Sequence, residues 1–551
     1  MKPLGALSIL LTVAPMLVSA AVPALLPDRV EQAISARIAA GEYPAMVVAV
    51  VDRDRHHVYG FGKLDNGKAP DAGTLFQIGS VTKTFTAAML AEAVNKGVVT
   101  LDTPLAKLLP EFKLPSRDGK QVTLGELATQ FSGLPRLPGN LKPADVQDPY
   151  ADYDADQLRA FLGTYTLPRD PGSKYEYSNL GFGLLGYALA HHASVSYAGL
   201  VKTSILQPLG MSSSSATLDE PLNSNWAKGL DEEGKPAKPW RFDALAGCGA
   251  INSTAADMLR YLEANMGRGK GALLDAMQLA QQPRRDIGGN ERIGLAWMSR
   301  YDKDGDVIWH NGMTGGYASF IGFTANRQHG VVILTNAQQS VEDLGFATLL
   351  IDAPLASAQK QIALSPPQLD AYVGEYQLAP RFILHVFRDK DQLLAQATGQ
   401  GVFPIFPSAA DSFFAKVTDI QIDFKRGTDG NVDSLALHQS GHETLASKLG
   451  VGAVEKVSGQ SPAHFDASTL QQYVGRFQLA PNAIFTITLD KDQLMAQLTG
   501  QSAFPVYPSA KDEFYYTEVD AQLSFERNAQ GKVVALVLHQ NGMNPRAARL
   551  P

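Results

Sequence analysis

The last third of the chain is written twice. YVGEYQLAP (Tyr372–Pro380) returns as YVGRFQLAP (Tyr473–Pro481), and FPIFPSAAD (Phe403–Asp411) returns as FPVYPSAKD (Phe504–Asp512). DKDQLLAQATGQ (Asp389–Gln400) returns as DKDQLMAQLTGQ (Asp490–Gln501), identical at ten of twelve positions, and the offset is 101 residues each time. A constant offset leaves no insertion between these landmarks. A period of that length is a small domain rather than a solenoid unit. Inside each copy, short alternating runs such as FILHVFRD, QLLAQATG and IQIDFKRG follow one another closely, which predicts one closed antiparallel β-barrel per copy.

The 551 residues are too many for one core, and the segment before the repeat has a different texture. AMVVAVVDRD (Ala45–Asp54) reads as a buried strand, with HHVYGFGKLDNGK as its hairpin partner and Asn66-Gly67 as the turn chemistry. SVTKTFTAAMLAEAVNKG reads as a buried helix stopped by Gly97. TLGELATQFSGLP opens with a capping box, Thr123 with Glu126. HGVVILTN (His329–Asn336) is a late strand and SVEDLGFATLLID (Ser340–Asp352) a closing helix. Strands at both ends with helices between predict an α+β domain, an antiparallel sheet flanked by helices. The expected division is a signal peptide at 1–20, this domain at 21–353, a Pro/Ala/Ser-rich linker at 354–367, and barrels at 368–453 and 454–551.

Lys2, the apolar run Leu4–Val18 and the small residues Val18-Ser19-Ala20 have the form of an export leader, cut after Ala20 or Ala21. The run is short for a membrane span, so the expected location is periplasmic or secreted. Cys248 is the only cysteine, so no internal disulfide exists, and a small buried role is expected for it. A net charge of −7 argues against a nucleic-acid partner. The histidine pairs at 56–57 and 191–192 lack ligand spacing. Neither a metal site nor a cofactor motif is predicted.

Three short stretches carry chemistry. In FQIGSVTKTF, Ser80 and Lys83 stand three apart at the start of the apolar helix. A serine hydroxyl needs a base within reach to become a nucleophile, and i, i+3 positions share a helix face. A lysine in so apolar a helix is costly without a task. In KYEYSNLGFG, Tyr177 and Asn179 stand two apart, a phenol able to relay protons and an amide able to hold a substrate. In VIWHNGMTGGY, His310 precedes Gly312 inside a strand pattern, where glycine marks the close approach of another backbone or a ligand.

Ser-x-x-Lys, Tyr-x-Asn and a His-x-Gly triplet, in this order, resemble the signature of the penicillin-recognising serine hydrolases. The tyrosine is similar to the class C β-lactamase branch. The histidine is similar to secreted D-Ala-D-Ala carboxypeptidases and D-aminopeptidases. FSGLP, QPLGMSS and AGCGAINSTAADM add to a resemblance covering roughly residues 25–345. It implies a β-lactamase-like fold with Ser80 as acylated nucleophile, Lys83 and Tyr177 as general base and acid, and His310 in the proton network or against a substrate carboxylate. Asn179, Gly312, Met313 and Thr314 would bind substrate, with the N–H groups of Ser80 and Met313 as oxyanion hole. The implied activity is cleavage of amide bonds in short D-amino-acid-containing peptides, cell-wall fragments among them. A β-lactamase, a carboxylesterase and a non-catalytic wall-binding protein are the alternatives. The resemblance to the D-aminopeptidases further implies that a loop of the second barrel, between Gln497 and Ser509, narrows the cleft. The other reading of the barrels is as rigid appendages or binders of a wall polymer or lipid.

Overall fold

The computed structural model describes residues 24–218, 225–379, 382–398, 402–416, 420–439, 442–449, 465, 467–480, 483–490, 493–498, 504–516, 521–528, 530–540 and 545–550. The expected leader lies outside the described residues, as do residues 499–503 of the Gln497–Ser509 loop. Among the described residues no helix is long and apolar enough to cross a membrane.

The first domain is built on an eight-stranded antiparallel sheet. Its strands in chain order are β1 (Ala45–Asp52), β2 (Arg55–Gly62), β3 (Arg285–Gly288), β4 (Glu291–Ile293), β5 (Met298–Arg300), β6 (Val307–Thr314), β7 (Tyr317–Thr324) and β8 (His329–Thr335). They lie in the order β2-β1-β8-β7-β6-β5-β4-β3, so the two ends of the domain's sequence meet at β1 and β8. The apolar run of β1 is explained by burial on both faces. Ala45, Val47, Ala49 and Val51 enter one core, with Phe85 and Leu262, while Met46, Val48 and Val50 enter another, with Val30, Ile34 and Leu344. Helix α1 (Asp28–Ala40) packs on the second face. Helices α2 (Thr82–Asn95), α3 (Leu124–Ala128), α4 (Asn179–His192) and α5 (Ala255–Asn265) belong to the first, and α6 (Glu342–Leu349) closes the domain over β7 and β8.

Two local readings need correction. The β1–β2 hairpin turns at Arg53 and Asp54, with Arg53 at φ +53, and pairs Asp52 with Arg55. Asn66-Gly67 makes a separate turn after β2, closed by the Gly67 N–H on the Leu64 carbonyl. Regular α2 starts at Thr82, and Ser80 sits in a 3₁₀ turn, Gly79–Val81, just ahead of it. The capping box of Thr123 and Glu126 is present at the start of α3.

Each repeat closes as an eight-stranded antiparallel barrel, with strands from Gly374 to Lys448 and from Gly475 to Arg549. The seams join the first and last strand of each copy, Tyr376 with Lys448 and Phe477 with Arg549. The first barrel touches the sheet domain. Ile405 and Phe413 fill its core, while Phe406 and Phe414, one residue on and hence on the outer face, are also buried, at 1% and 4% exposure. At the same face the Ser340 N–H donates to the Lys416 carbonyl at 2.8 Å.

Candidate active site

The site forms where the turn carrying Ser80 packs against the end of β6. Strand β5 pairs with β6 only at Val307–Trp309, so His310–Thr314 keep one edge for the Gly79–Val81 turn. Two glycines permit the contact. Gly79 is at φ +50, and a Cβ on it would lie 2.6 Å from the Met313 nitrogen; a Cβ on Gly312 would lie 2.0 Å from the Ile78 carbonyl oxygen. The Ser319 hydroxyl, on β7, donates to that same carbonyl at 2.8 Å.

Lys83 is fully buried in the first turn of α2. Its Nζ donates to Ser80 Oγ at 2.8 Å, to Asn179 Oδ1 at 2.9 Å and to the Cys248 carbonyl at 2.8 Å. Three acceptors match the three donors of an ammonium, which explains how the charge stands in so apolar a helix. The Tyr177 ring lies under the same nitrogen, its centroid 5.0 Å away, and the Arg136 guanidinium sits 5.2 Å from that ring. Half-buried Tyr177 precedes α4, whose cap is Ser178: its hydroxyl accepts the Gly181 N–H at 2.8 Å and donates to the Pro135 carbonyl at 2.6 Å. Gln130 Oε1 takes the Ser178 N–H and the Arg136 carbonyl takes the Asn179 N–H, so segment 130–136 braces Tyr177 and Asn179 together. Asn179 Nδ2 donates onward to the Tyr150 hydroxyl at 3.3 Å.

His310 is 2% exposed, and its Nδ1 faces the Asn311 carbonyl at 2.6 Å. A carbonyl only accepts, so Nδ1 carries the proton and Nε2 keeps its lone pair. Burial, reinforced by the Lys83 charge, pushes the imidazole pKa down to about 3, so the ring is neutral at ordinary pH. Along β6, His310, Gly312 and Thr314 share one face. Thr314 Oγ1 is buried with no hydrogen-bond partner among the described residues.

The structure thus brings Ser80, Lys83 and Asn179 into direct hydrogen-bonding contact, puts Tyr177 beside Lys83, and sets Gly312 and Met313 against the turn that holds Ser80. Arg136, Tyr150 and the Cys248 carbonyl are additions that the motifs do not name. Arg136 directly follows the FSGLP stretch, so its place was marked; a main-chain carbonyl carries no side-chain signature. Cys248 itself is a buried free thiol, held protonated by burial. Among the described residues no cluster of His, Cys, Asp or Glu is arranged to hold a metal ion.

Comparison with known proteins identifies the family. Residues 30–355 match the Beta-lactamase family, and residues 358–448 and 460–548 each match a domain of unknown function, DUF3471. The D-alanyl-D-alanine-carboxypeptidase/endopeptidase AmpH of Escherichia coli (strain K12) is 28% identical over 308 residues, covering 52% of this chain and 78% of that protein. Penicillin-binding protein 4* of Bacillus subtilis (strain 168) is 23% identical over 425 residues, covering 71% of this chain and 91% of its own. A crystal structure of a class C beta-lactamase in complex with cefoxitin superposes with a TM-score of 0.52 at 24% identity over 58% of this chain and 97% of that one, which establishes the shared fold. The chain belongs to the Beta-lactamase family and is a serine hydrolase of that family, carrying two barrels behind its catalytic domain.

Proposed function

We propose that the protein is an exported hydrolase that forms an acyl-enzyme on Ser80 and cleaves amide bonds in short D-amino-acid-containing peptides. The observation that carries this reading is the contact of buried Lys83 Nζ with both Ser80 Oγ and Asn179 Oδ1. In its deprotonated form the Lys83 amine accepts the Ser80 hydroxyl proton as Oγ attacks the substrate carbonyl carbon. Charge building on the carbonyl oxygen meets the N–H groups of Ser80 and Met313, whose backbones the glycine contact holds together. Tyr177, beside Lys83, passes the proton to the departing amine, and water then attacks the ester to release the acid and regenerate Ser80. Asn179 holds the substrate amide. Thr314, whose buried hydroxyl has no partner among the described residues, offers a donor to the substrate. Neutral His310 acts as an uncharged hydrogen-bonding support of this network rather than a cation for a substrate carboxylate. The apolar leader at 1–20 supports export to the periplasm or medium. The names of the relatives, a carboxypeptidase/endopeptidase and a penicillin-binding protein, support the substrate class.

A β-lactamase is the second reading, favoured by 28% identity over 356 residues to a beta-lactamase of E. coli (strain K12). Intact mass after brief mixing with a penicillin, with Ser80→Ala as control, separates the two. A lasting adduct lost in the variant supports the peptidase. Rapid consumption without an adduct supports the β-lactamase. Neither adduct nor consumption removes the penicillin-type reading and turns the assay to D-amino-acid anilides and short esters.

A further inference from the structure

The first barrel reaches the wall of the active site. Segment 225–242 lies across the turn between β6 and β7, immediately beyond Thr314. A Cβ on Gly315 would lie 2.6 Å from Trp240 Nε1, and one on Gly316 would lie 2.8 Å from Ala237 Cβ. The Gln77 side chain clamps the Trp240 backbone twice, at 2.9 and 2.8 Å. The indole centroid stands 5.3 Å from the Tyr150 ring, whose hydroxyl accepts from Asn179. Trp240 is therefore one ring removed from the residue that touches Lys83.

The other end of this segment is held from outside. Residues 229–237 fold back on themselves, Ala237 N–H to Gly229 carbonyl, and Leu230 is tied to Asn336 and Gln338 just after β8. At the tip, the Glu232 carbonyl accepts from Nζ of Lys416, a residue of the first barrel. The same Nζ donates to Gln361 Oε1 at 2.9 Å and stands 4.0 Å over the Phe406 ring. A strongly hydrated ammonium is an expensive group to bring into an interface only to join two surfaces. The repeat supplies an internal control. At the positions 101 residues on, Phe406, Phe414 and Lys416 become Tyr507, Tyr515 and Thr517. Tyr507 and Tyr515 are both less buried than their counterparts. The apolar pair and the lysine belong to the copy that docks.

We propose that Lys416 of the first barrel is a positioning residue for the active-site wall 225–242, fixing Trp240 through Glu232 so that the cleft is shaped for extended substrates. This builds on the acyl-enzyme reading of Ser80, but its first test does not depend on it. In the full-length protein, Lys416→Met should raise amide hydrogen exchange at residues 229–240 at least about tenfold while α2 stays as protected as in the parent. Unchanged exchange at 229–240, or an equal rise in α2, overturns the proposal. The kinetic readout follows. Lys416→Met should raise KM for a D-Ala-ended peptide about five- to tenfold with kcat little changed. It should leave hydrolysis of p-nitrophenyl acetate, too small to reach Trp240, as it was, and Lys416→Arg should restore most of the loss. Equal loss on both substrates, or no loss on the peptide, counts against it. A parent enzyme that acts on neither substrate refutes the reading of Ser80, and the exchange result still decides the role of Lys416.

Discussion

Gly79 and Met313 stand so close that the Met313 nitrogen would lie 2.6 Å from a Cβ on Gly79, which itself sits at φ +50. A side chain there is opposed twice, by the left-handed backbone and by the β6 main chain. Gly79→Ala should push the Ser80 turn off β6 and misalign the two N–H groups proposed as oxyanion donors. The expected result is a fall in acylation rate of about 100-fold or more, the scale seen when one such donor is lost, with a folded protein by circular dichroism.

Lys83 is fully buried and donates to three acceptors. Lys83→Met keeps most of the volume but removes every donor. Acylation measured by stopped flow should drop by about 10³-fold or more, and Ser80→Ala should abolish the adduct altogether. A fast-acylating Lys83→Met would remove the lysine from the chemistry.

His310 is pushed from 6.5 down to about 3. Between those values the unfolded chain binds a proton that the folded one refuses, so stability falls as pH falls through this window. At pH 5 the loss from this group is about 2 kcal/mol, taking about 1.4 kcal/mol per pH unit. Urea unfolding of His310→Gln should show a correspondingly flatter acid limb; an unchanged limb would place the effect elsewhere.

Glu42 titrates with the opposite sign. It accepts from the Gln359 N–H and from Gln339 Nε2, with Arg37 Nε 4.0 Å away. Burial outweighs these partners and raises its carboxyl from 4.5 to about 7. The folded state keeps a proton that the unfolded state loses, so stability falls as pH rises from 4.5 to 7 and the full cost is present above 7, at most about 3 kcal/mol. Glu42→Gln should raise the urea midpoint at pH 8 and leave it little changed at pH 4. Equal midpoints for parent and variant at pH 8 would contradict this.

The parts of this protein that announced themselves in the sequence are those with a local rule behind them. Ser80 and Lys83 obey helix spacing, β1 and β8 are apolar because both their faces are covered, and the barrels were visible as alternation repeated at a fixed offset. What stayed hidden was made by tertiary structure. The Cys248 carbonyl is an acceptor that every residue possesses, and only the fold aims it at Lys83. Tyr150 reaches the site from a loop whose path no periodicity describes, whereas Arg136 follows a stretch that the sequence did mark. The motif left His310 either in the proton network or against a substrate carboxylate, and the depth of burial that pushes its pKa so far down comes from the fold. Asn66-Gly67 had turn chemistry, but the register of β1 and β2 placed the hairpin at Arg53.

The two barrel seams also bear on how the chain folds. Each barrel closes when its first strand finds its last, and the first strands, GEYQLA and GRFQLA, are nearly the same. Either one is a competent partner for Lys448 or Arg549, whose cations cover the Tyr376 and Phe477 rings at 5.7 and 5.4 Å. During synthesis the first barrel can close before the second exists, so order of emergence chooses the pairing. A chain diluted from denaturant offers both seams at once. Refolding should then show a slow phase from exchanged strands, absent when the chain ends at residue 453. Vectorial synthesis would spare the cell a choice that the test tube imposes.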